Sequence, residues 1–456
     1  MALGRKKSTR QSELWVATAD LKAPGHPFYK ALNGVLVEAG FDAFVEELCE
    51  PFYAKTGRPG IPPGRYFRMV FIGYFEGIDS QRGIAWRCAD SLSLQEFLGL
   101  KLGEPSPDHS SLTNIRKRLP IEVYNRVFQF VLEVVATHGL LKGKTVAVDS
   151  TTLEANAAMK SIVRKETGED WKEYVTGLMR EAGVIDEDET PSDDDIRRFD
   201  KKRKKKGVSN KDWESPVDED ARVARMKDRT TKLAYKAEHV VDLETDVLLA
   251  ANVTHADRGD TKTIGESLDL AQEHLHAVDD TKTIEEGVAD AGYHSVAVLE
   301  ECRDWAWVKL RTYIAEPDRG RQKWAEKPCD HQELTYANRR RNRGDRGRRL
   351  QRKRSEMVER SFAHVCETGG GRRMWIRGLT EVTKSYQLKA AAHNLSVVMR
   401  KAFGIGKPRC LQGAFALILI AQSAIKAIRK SIKRLGSQSP RSDADLPSAV
   451  PRWLTC

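Results

Sequence analysis

The sequence predicts a mixed α/β sheet domain set between an all-α N-terminal region and C-terminal helices. Three patterns predict it. Apolar residues recur at helical spacing in short units divided by Gly, Pro and Ser up to about residue 119. Two short β-branched stretches, VAVD at 146–149 and GVAD at 287–290, each run into an aspartate, and a hairpin pattern lies between them. Two longer stretches of helical period, about 383–403 and 411–434, follow the sheet.

Taking the elements in order, HPFYKALNGVLVEAGFDAFVEELCEPFY places Phe28, Leu32, Val35 and Leu36 on one helical face, so short helices with loops are expected up to about residue 60. From Pro62 to Leu119, RYFRMVFIGYFEG, SQRGIAWRCAD, SLSLQEFLG and PDHSSLTNIRKRL read as consecutive helices resembling a helix-turn-helix bundle. Ser80, Ser91 and Asp108 are their N-caps, because a short side-chain oxygen can satisfy the open N–H groups of a first turn. Arg116, Lys117 and Arg118 on the last unit suit phosphate contact, although a basic face on a bundle is more often simply solvated.

A helix over about 121–139, with Val123, Val127, Val131, Val134 and Val135, stops at Gly139, and KTVAVDSTT then predicts a short strand ending at Asp149. LAYKAEHVVDL and VLLAANVT flank a turn at Glu244 to Asp246 and form the hairpin. Asp260 and Thr261 cap the helix TIGESLDLAQEHL, a strand ends at Asp290, and a helix VAVLEEC leads to an apolar strand WAWVKLR. That order is the order of an RNase H-like mixed sheet. Between Thr151 and about Thr230 an acidic stretch (Asp186 to Asp195) precedes KKRKKKG at 201–207, and opposed charge blocks predict solvated helices and loops. The Ser- and Pro-rich tail from Gly436 is expected to be disordered.

Composition narrows the function. A chain of 456 residues has room for two or three cores. Its formal net charge of +11 points to a polyanionic partner without choosing between nucleic acid and an acidic membrane surface. Seven cysteines, odd in number and never spaced as CxxC, argue against a disulfide framework or a zinc module and for a reducing cytoplasm. No signal peptide or ~20-residue apolar span is seen, and the apolar run Ala414 to Ala421 reads as a buried helix. GxGxxG and phosphate-loop motifs are missing, which disfavours nucleotide-driven chemistry. His331 near Cys329 has no matching second pair and reads as a loop; His239 and His255 stand apart from any plausible nucleophile.

The acids are the more promising chemistry. Two divalent cations can activate water or a 3′ hydroxyl and stabilise a leaving oxygen without any side-chain nucleophile, and hard cations such as Mg²⁺ take oxygen ligands. Asp149 and Asp290 would share one sheet edge if their strands are parallel neighbours, although each could equally cap a turn. In RSEMVERSFAHVC, Val358, Phe362 and Val365 form an apolar stripe that Glu359 borders, while Glu356 lies further toward solvent. Glu359 alone reads as a boundary ion pair or as a metal ligand. Upstream of it, the run from Arg339 to Arg354, interrupted only by Asp345, is costly unless solvated or paired with a polyanion, and DNA is the favoured partner. Arg372, Arg373 and Arg377 extend that surface beyond the GGG loop; Trp375 among them reads as a core residue before it reads as a stacking platform for an unpaired base.

PPGRYFRMVFIGYFEGIDSQRGIAWR, PDHSSLTNIRKRL, VAVDSTTLEANAA, ARVARMKDRTTKLAYKAEHVVDLET, VADAGYHS, VERSFAHVCETGGGRRMWIRG and AAAHNL together resemble the bacterial insertion-sequence DDE transposases, in the branch with a helical N-terminal domain ahead of an RNase H-like catalytic domain. The resemblance covers nearly the whole chain up to about residue 409. It implies a helical DNA-binding domain over residues 1–120 and a catalytic domain over 121–380 with a polar insert at about 155–230 and a basic segment at about 339–354; the sequence beyond reads as C-terminal helices over 381–435 and a disordered tail over 436–456. It further implies that Asp149, Asp290 and Glu359 form the metal-binding catalytic triad for two Mg²⁺ ions, with Mn²⁺ as the substitute. The enzyme would cut double-stranded DNA at the terminal inverted repeats of its own element and join the freed 3′ hydroxyls to target DNA. The cations expected on DNA are Arg116, Lys117, Arg118, Arg348, Arg349, Arg352, Arg354, Arg372, Arg373 and Arg377. Synapsis of two ends makes a homodimer the default, working at the nucleoid in a bacterial cytoplasm. Two positions depart from the pattern. Cys366 stands where relatives often carry a basic residue, which moves the terminal-phosphate contact to Arg372 or Arg373, and KDR precedes Thr230 where Lys-Asp-Gly is usual. The competing readings are a catalytically inactive DNA-binding protein and a general RNase H-like nuclease that cuts without joining.

Overall fold

The helix starts follow their caps. Ser80 accepts from Gly83 N, Ser91 from Leu94 N and Asp108 from Ser110 N, each satisfying a first-turn donor that helix geometry leaves open. In this computed structural model, which describes residues 25–57, 60–101, 103–202, 210–226, 230–318, 320, 324 and 328–411, the N-terminal helices are α1 (Pro27–Glu38), α2 (Phe41–Cys49), α3 (Pro63–Glu76), α4 (Gln81–Ala89), α5 (Leu92–Phe97), α6 (His109–Arg118) and α7 (Ile121–Thr137). Phe28, Leu32, Val35 and Leu36 are buried as their spacing demands, against a core dominated by Phe41, Phe67, Phe71, Phe75 and Tyr124.

The sheet is built from β1 (Thr145–Glu154), β4 (Arg222–Arg225), β5 (Thr231–Asp242), β6 (Leu248–His255), β7 (Glu286–Ala289) and β8 (Arg311–Ile314), after the two-residue ladder of β2 (Val163–Arg164) and β3 (Trp213–Glu214). β5 pairs antiparallel with β1 on one side and with β4 and β6 on the other, whereas β1, β7 and β8 run parallel. This mixed order, with N-terminal and C-terminal helices outside the sheet, is the RNase H-like architecture expected from the sequence. The hairpin and its turn also stand where expected, with Asp246 in the left-handed region at φ 70°.

Helices cover both faces: α10 (Asp260–Val278) on one, and α13 (Asp345–Phe362) with α14 (Leu379–Phe403) on the other. β5 is accordingly buried on both sides from Leu233 to Asp242, and its polar residues Lys236, Glu238, His239 and Asp242 all find partners indoors. Two outer strands, β6 and β8, each meet an asparagine: Asn394 of α14 clamps Leu248 N and O at 2.9 and 2.8 Å, and Asn338 of α12 (Cys329–Arg343) clamps Ile314 N and O at 3.1 and 2.8 Å. A side-chain amide carries the same donor and acceptor as a neighbouring strand, so these clamps satisfy edge groups that otherwise stay open. α12 and α13 meet at a tight elbow, where a Cβ on Gly347 would collide with the carbonyls of Arg341 and Asn342.

Four expectations change. β1 runs ten residues, so Asp149 lies midway along it rather than at its end; the long partner β5 continues the ladder to Glu154, and only the parallel neighbour β7 stops early. The last strand begins at Arg311 rather than at Trp305, because Trp305 turns its indole N–H onto Asp269 at 2.7 Å and the half-exposed Trp307 packs edge-on against His276. α10 begins at Asp260 with Gly259 as its cap residue. The polar insert contains α8 (Trp171–Glu181) and α9 (Asp193–Lys202), which share a small core of Val175, Met179 and Ile196. Arg203 to Gly207 of the basic run, the KDR segment before Thr230, the helix expected at 411–434, the apolar run at 414–421 and the tail lie outside the described residues.

Candidate active site

Asp149 and Asp290 are brought level by register. β1 pairs with β7 in parallel through Thr145↔Glu286, Val146↔Gly287 and Ala147↔Val288, the same offset that separates Asp149 from Asp290. β7 ends at Ala289, and Asp290 caps a single 3₁₀ turn, its Oδ1 accepting from Gly292 N at 2.9 Å. In the antiparallel pairing Asp149 faces His239 across the ladder, and directly opposed residues point to the same side of a sheet. That side belongs to α13: the His239 ring stacks on Phe362 at 4.1 Å and bonds Ser361 at 2.8 Å. Glu359 lies on this helix two residues before Ser361, exposed at the border of the buried stripe, with Ser355 Oγ donating to its Oε1 at 3.2 Å. Glu356 is turned to solvent and paired with Arg360.

Asp149 faces α13, Glu359 rides on that helix and Asp290 stands level with Asp149, but the three acids are not closed on one point. Asp149 Oδ1 accepts its neighbour's N–H from Ser150 at 2.8 Å, while Arg354 of α13 holds Oδ2 at 2.8 Å. Arg354 is largely buried and is steadied by Gln351, which also donates to the carbonyls of Ala289 and Tyr313 at 3.1 and 2.6 Å. Among the described residues, the trio of His, Cys, Asp or Glu whose ligand atoms all lie within 4.8 Å of one another is Glu300, Asp330 and His331, not the three central acids. That trio sits where α11 (Val296–Arg303) meets the first turn of α12, so His331 is helical rather than in a loop, and its Nε2 pairs with Glu300 at 2.9 Å. The donor set of the central site nonetheless suits a hard cation: Asp290 and Glu359 each spend one oxygen on a neutral donor and keep the other without a protein donor among the described residues.

The opposite face of the sheet carries a network that sequence inspection missed. Lys236 meets Asp260 Oδ1 at 2.6 Å and Thr263 Oγ1 at 2.9 Å. Glu238 accepts from Thr263 at 2.9 Å, from Ser267 at 2.5 Å and from Tyr293 at 2.8 Å. Ser150 donates to Asp260 at 2.9 Å. Ser150 follows Asp149 and Tyr293 closes the turn of Asp290, so one buried cluster braces the backbone beside both aspartates. Burial pushes the Glu238 carboxyl up, against the hydrogen bonds and the Lys236 charge that favour its ionised form. The alternation of polar residues in LAYKAEHVV was the available signal, since polar groups on a doubly covered strand must be partnered.

Two family models match this chain: the Transposase domain (DUF772) over residues 19–118 and the Transposase DDE domain over residues 318–399, the latter spanning α12, α13 and Glu359. Both matches are to transposase domains, and together they support an insertion-sequence DDE transposase. No curated protein and no solved structure matches it. The family acts on DNA and generally uses divalent metal ions, and among the described residues no helix is long and apolar enough to cross a membrane.

The chain spends much of its arginine run internally. Arg339 pairs with Glu316, Arg341 donates to Thr312, Arg346 pairs with the buried Glu286, Arg348 with Asp345, and Arg354 with Asp149. Arg340, Arg343, Arg349, Arg352 and Lys353 have no partner among the described residues. Arg349, Arg352, Glu356 and Glu359 fall on one exposed stripe of α13, three and four residues apart. Of the N-terminal cations, Lys117 and Arg118 are exposed, with Arg118 over the Tyr53 ring, but Arg116 is buried in an ion pair with Glu381 at 2.7 Å. Arg116 therefore ties α6 to α14. Replacing Arg116 by Ala is expected to cost about 2 kcal/mol of stability, by removing a buried charge-assisted bond while Glu381 keeps its second partner Lys384, and to leave the salt slope of DNA binding unchanged. Arg352→Ala should instead lower that slope by about 1 at unchanged melting temperature. Thermal melts and filter binding across a salt series check both.

Beyond the GGG loop, Arg372 reaches Thr151 Oγ1 at 2.8 Å and Thr152 O at 2.9 Å, on the strand of Asp149 and two residues along on its face. Arg373 lies over the Trp375 ring at 4.5 Å, and Arg377 donates to Asn156 O at 3.3 Å. Trp375 is 47% exposed rather than in the core, its indole N–H held by Asp79 at 2.7 Å. Cys366 is buried beside Tyr386 at 3.5 Å and presents nothing to solvent.

Proposed function

We propose that this transposase binds the terminal inverted repeats of its own element, hydrolyses the phosphodiester at each end, and transfers the freed 3′ hydroxyls to target DNA, as a homodimer at the nucleoid. The matched register of Asp149 and Asp290 on neighbouring parallel strands, with the Glu359 helix across the same face, is the observation that carries this reading. Asp149, Asp290 and Glu359 would hold two Mg²⁺ ions, and Mn²⁺ could take their place. Those ions, when bound, supply activation of the attacking oxygen and stabilisation of the leaving one.

The chain's own residues supply the rest. Arg349 and Arg352, exposed along the stripe that ends at Glu359, hold successive phosphates so that the scissile bond is carried to the acids. Arg372 provides the cation that position 366 lacks, already anchored on the Asp149 strand through Thr151. Lys117 and Arg118 give the helical region its contact with the duplex. Arg354 neutralises Asp149 until DNA and metal replace it.

That last pair also favours a second reading, a DNA-binding protein whose acids never take metal. The test is a reaction of the purified protein with the DNA that flanks its coding region, a supercoiled target and Mg²⁺. Joined products are expected. Cut ends without joining would leave a nuclease, and binding without cutting would leave the inactive reading.

A further inference from the structure

His239 is fully buried, and both of its ring nitrogens are engaged, Nδ1 with Ser361 Oγ and Nε2 with Tyr386 Oη, each at 2.8 Å. Burial pushes the ring well below its ordinary pKa, so it is neutral and carries a single proton. The surrounding bonds assign that proton. Ser361 gives its hydroxyl hydrogen to the carbonyl of Val358 at 2.8 Å, so toward the imidazole it can only accept, and Nδ1 must be the donor. Nε2 then accepts from Tyr386, whose oxygen is left to accept from the Cys366 thiol at 3.5 Å. The bonds run in one direction, from Cys366 through Tyr386, His239 and Ser361 to Val358, and every donor in them is used once.

The middle and one end of this relay adjoin the two halves of the candidate site. His239 lies directly across the ladder from Asp149. Ser361 and Val358 lie on either side of Glu359, and Phe362, stacked on the imidazole, completes the same turn of α13. We propose that His239 is a positioning residue that fixes the Glu359 turn of α13 against the Asp149 strand, so that the two elements keep a fixed relation from which a metal can draw the acids together. The proposal rests on the triad reading given above. It also accounts for Cys366: its side chain terminates the relay indoors and leaves the phosphate contact to Arg372.

The test is Mn²⁺ binding to the full-length protein without DNA, followed by electron paramagnetic resonance, with melting temperature and DNA affinity measured alongside. Asp149→Asn defines which Mn²⁺ belongs to the triad. His239→Phe keeps the stacked ring but removes both bonds, and is expected to weaken the triad's Mn²⁺ on the order of ten-fold with DNA affinity unchanged. His239→Asn keeps a donor at the Nδ1 position and should retain most of the affinity; His239→Gln keeps a group only toward Tyr386 and should not. Ser361→Ala should match His239→Phe, and the double variant should be no worse than either. Equal Mn²⁺ affinity in wild type, His239→Phe and Ser361→Ala, or strictly additive losses, would overturn the proposal. If His239→Phe fails to fold, the contrast between Asn and Gln decides. If Asp149→Asn leaves Mn²⁺ binding untouched in the wild-type background, it is the triad reading that fails instead.

Discussion

Asp149→Asn, Asp290→Asn and Glu359→Gln are each expected to lower strand cleavage by about three orders of magnitude or more while leaving end-binding within about two-fold. The size follows from the division of labour in metal-assisted phosphoryl chemistry, where carboxylates act by holding cations at the point of charge development, and a removed ligand acts on the transition state more than on the ground state. The retained binding follows from the map of cations: Arg349, Arg352, Lys117 and Arg118 are not partnered by any of the three acids, so an acid-to-amide change frees nothing and buries nothing on their account. Amides keep the shape and the neutral hydrogen bonds from Gly292 and Ser355 that Asp290 and Glu359 now receive. Cleavage on labelled end fragments and gel-shift affinity in the absence of divalent ions measure the two quantities. A variant that cuts at near wild-type rate removes its residue from the triad. Glu356→Gln is the matched control, because Glu356 is turned outward onto Arg360 and should cut normally.

The second large effect is expected at Arg354, where metal affinity and turnover should move in opposite directions. Arg354 holds the Asp149 oxygen at 2.8 Å in a pair that is mostly shielded from water. A cation arriving at Asp149 must displace that guanidinium. The attraction at this distance is several kcal/mol at an effective dielectric of about 20, but water and the cost of desolvation leave a net on the order of 1 kcal/mol. Arg354→Gln should therefore tighten Mn²⁺ binding by about ten-fold in DNA-free protein. Once displaced, the same guanidinium stands about 7.5 Å along the helix axis from Glu359, within side-chain reach of the phosphate being cut, so its loss should slow cleavage by about ten- to a hundred-fold. A merely destabilised site would lose on both counts. Titration with Mn²⁺ and single-turnover cleavage on one preparation separate these outcomes.

The sequence made the aspartates legible and left their surroundings dark, for a physical reason. VAVD and GVAD are local patterns, and a register between two strands follows once both are placed. Glu359 was legible from the border it keeps with Val358, Phe362 and Val365, a matter of helical period alone. Arg116 was misread because a cation's partner is set by tertiary approach: Glu381 lies far along the chain and arrives only when α14 crosses α6. The arginine run misleads in the same way, since Glu286 at a strand start, Glu316 in a loop and Asp149 within β1 are spent neutralising it. His239 was dismissed for lack of a nucleophile nearby, although its work is to orient other groups. Trp375 illustrates the reverse: a large apolar side chain reads from sequence as core, and here it is half-exposed with its indole N–H on Asp79.

The asparagine clamps bear on how two copies can come together. Leu248 and Ile314 are the positions at which an incoming strand would have to dock to lengthen the sheet, and Asn394 and Asn338 already occupy the backbone groups it would need. Strand addition is thereby blocked at those two positions. In the proposed dimer, helix and loop surfaces, with the DNA itself as part of the bridge, are then the expected route for bringing two ends together, so that each catalytic sheet stays a private structure even when the reaction is shared.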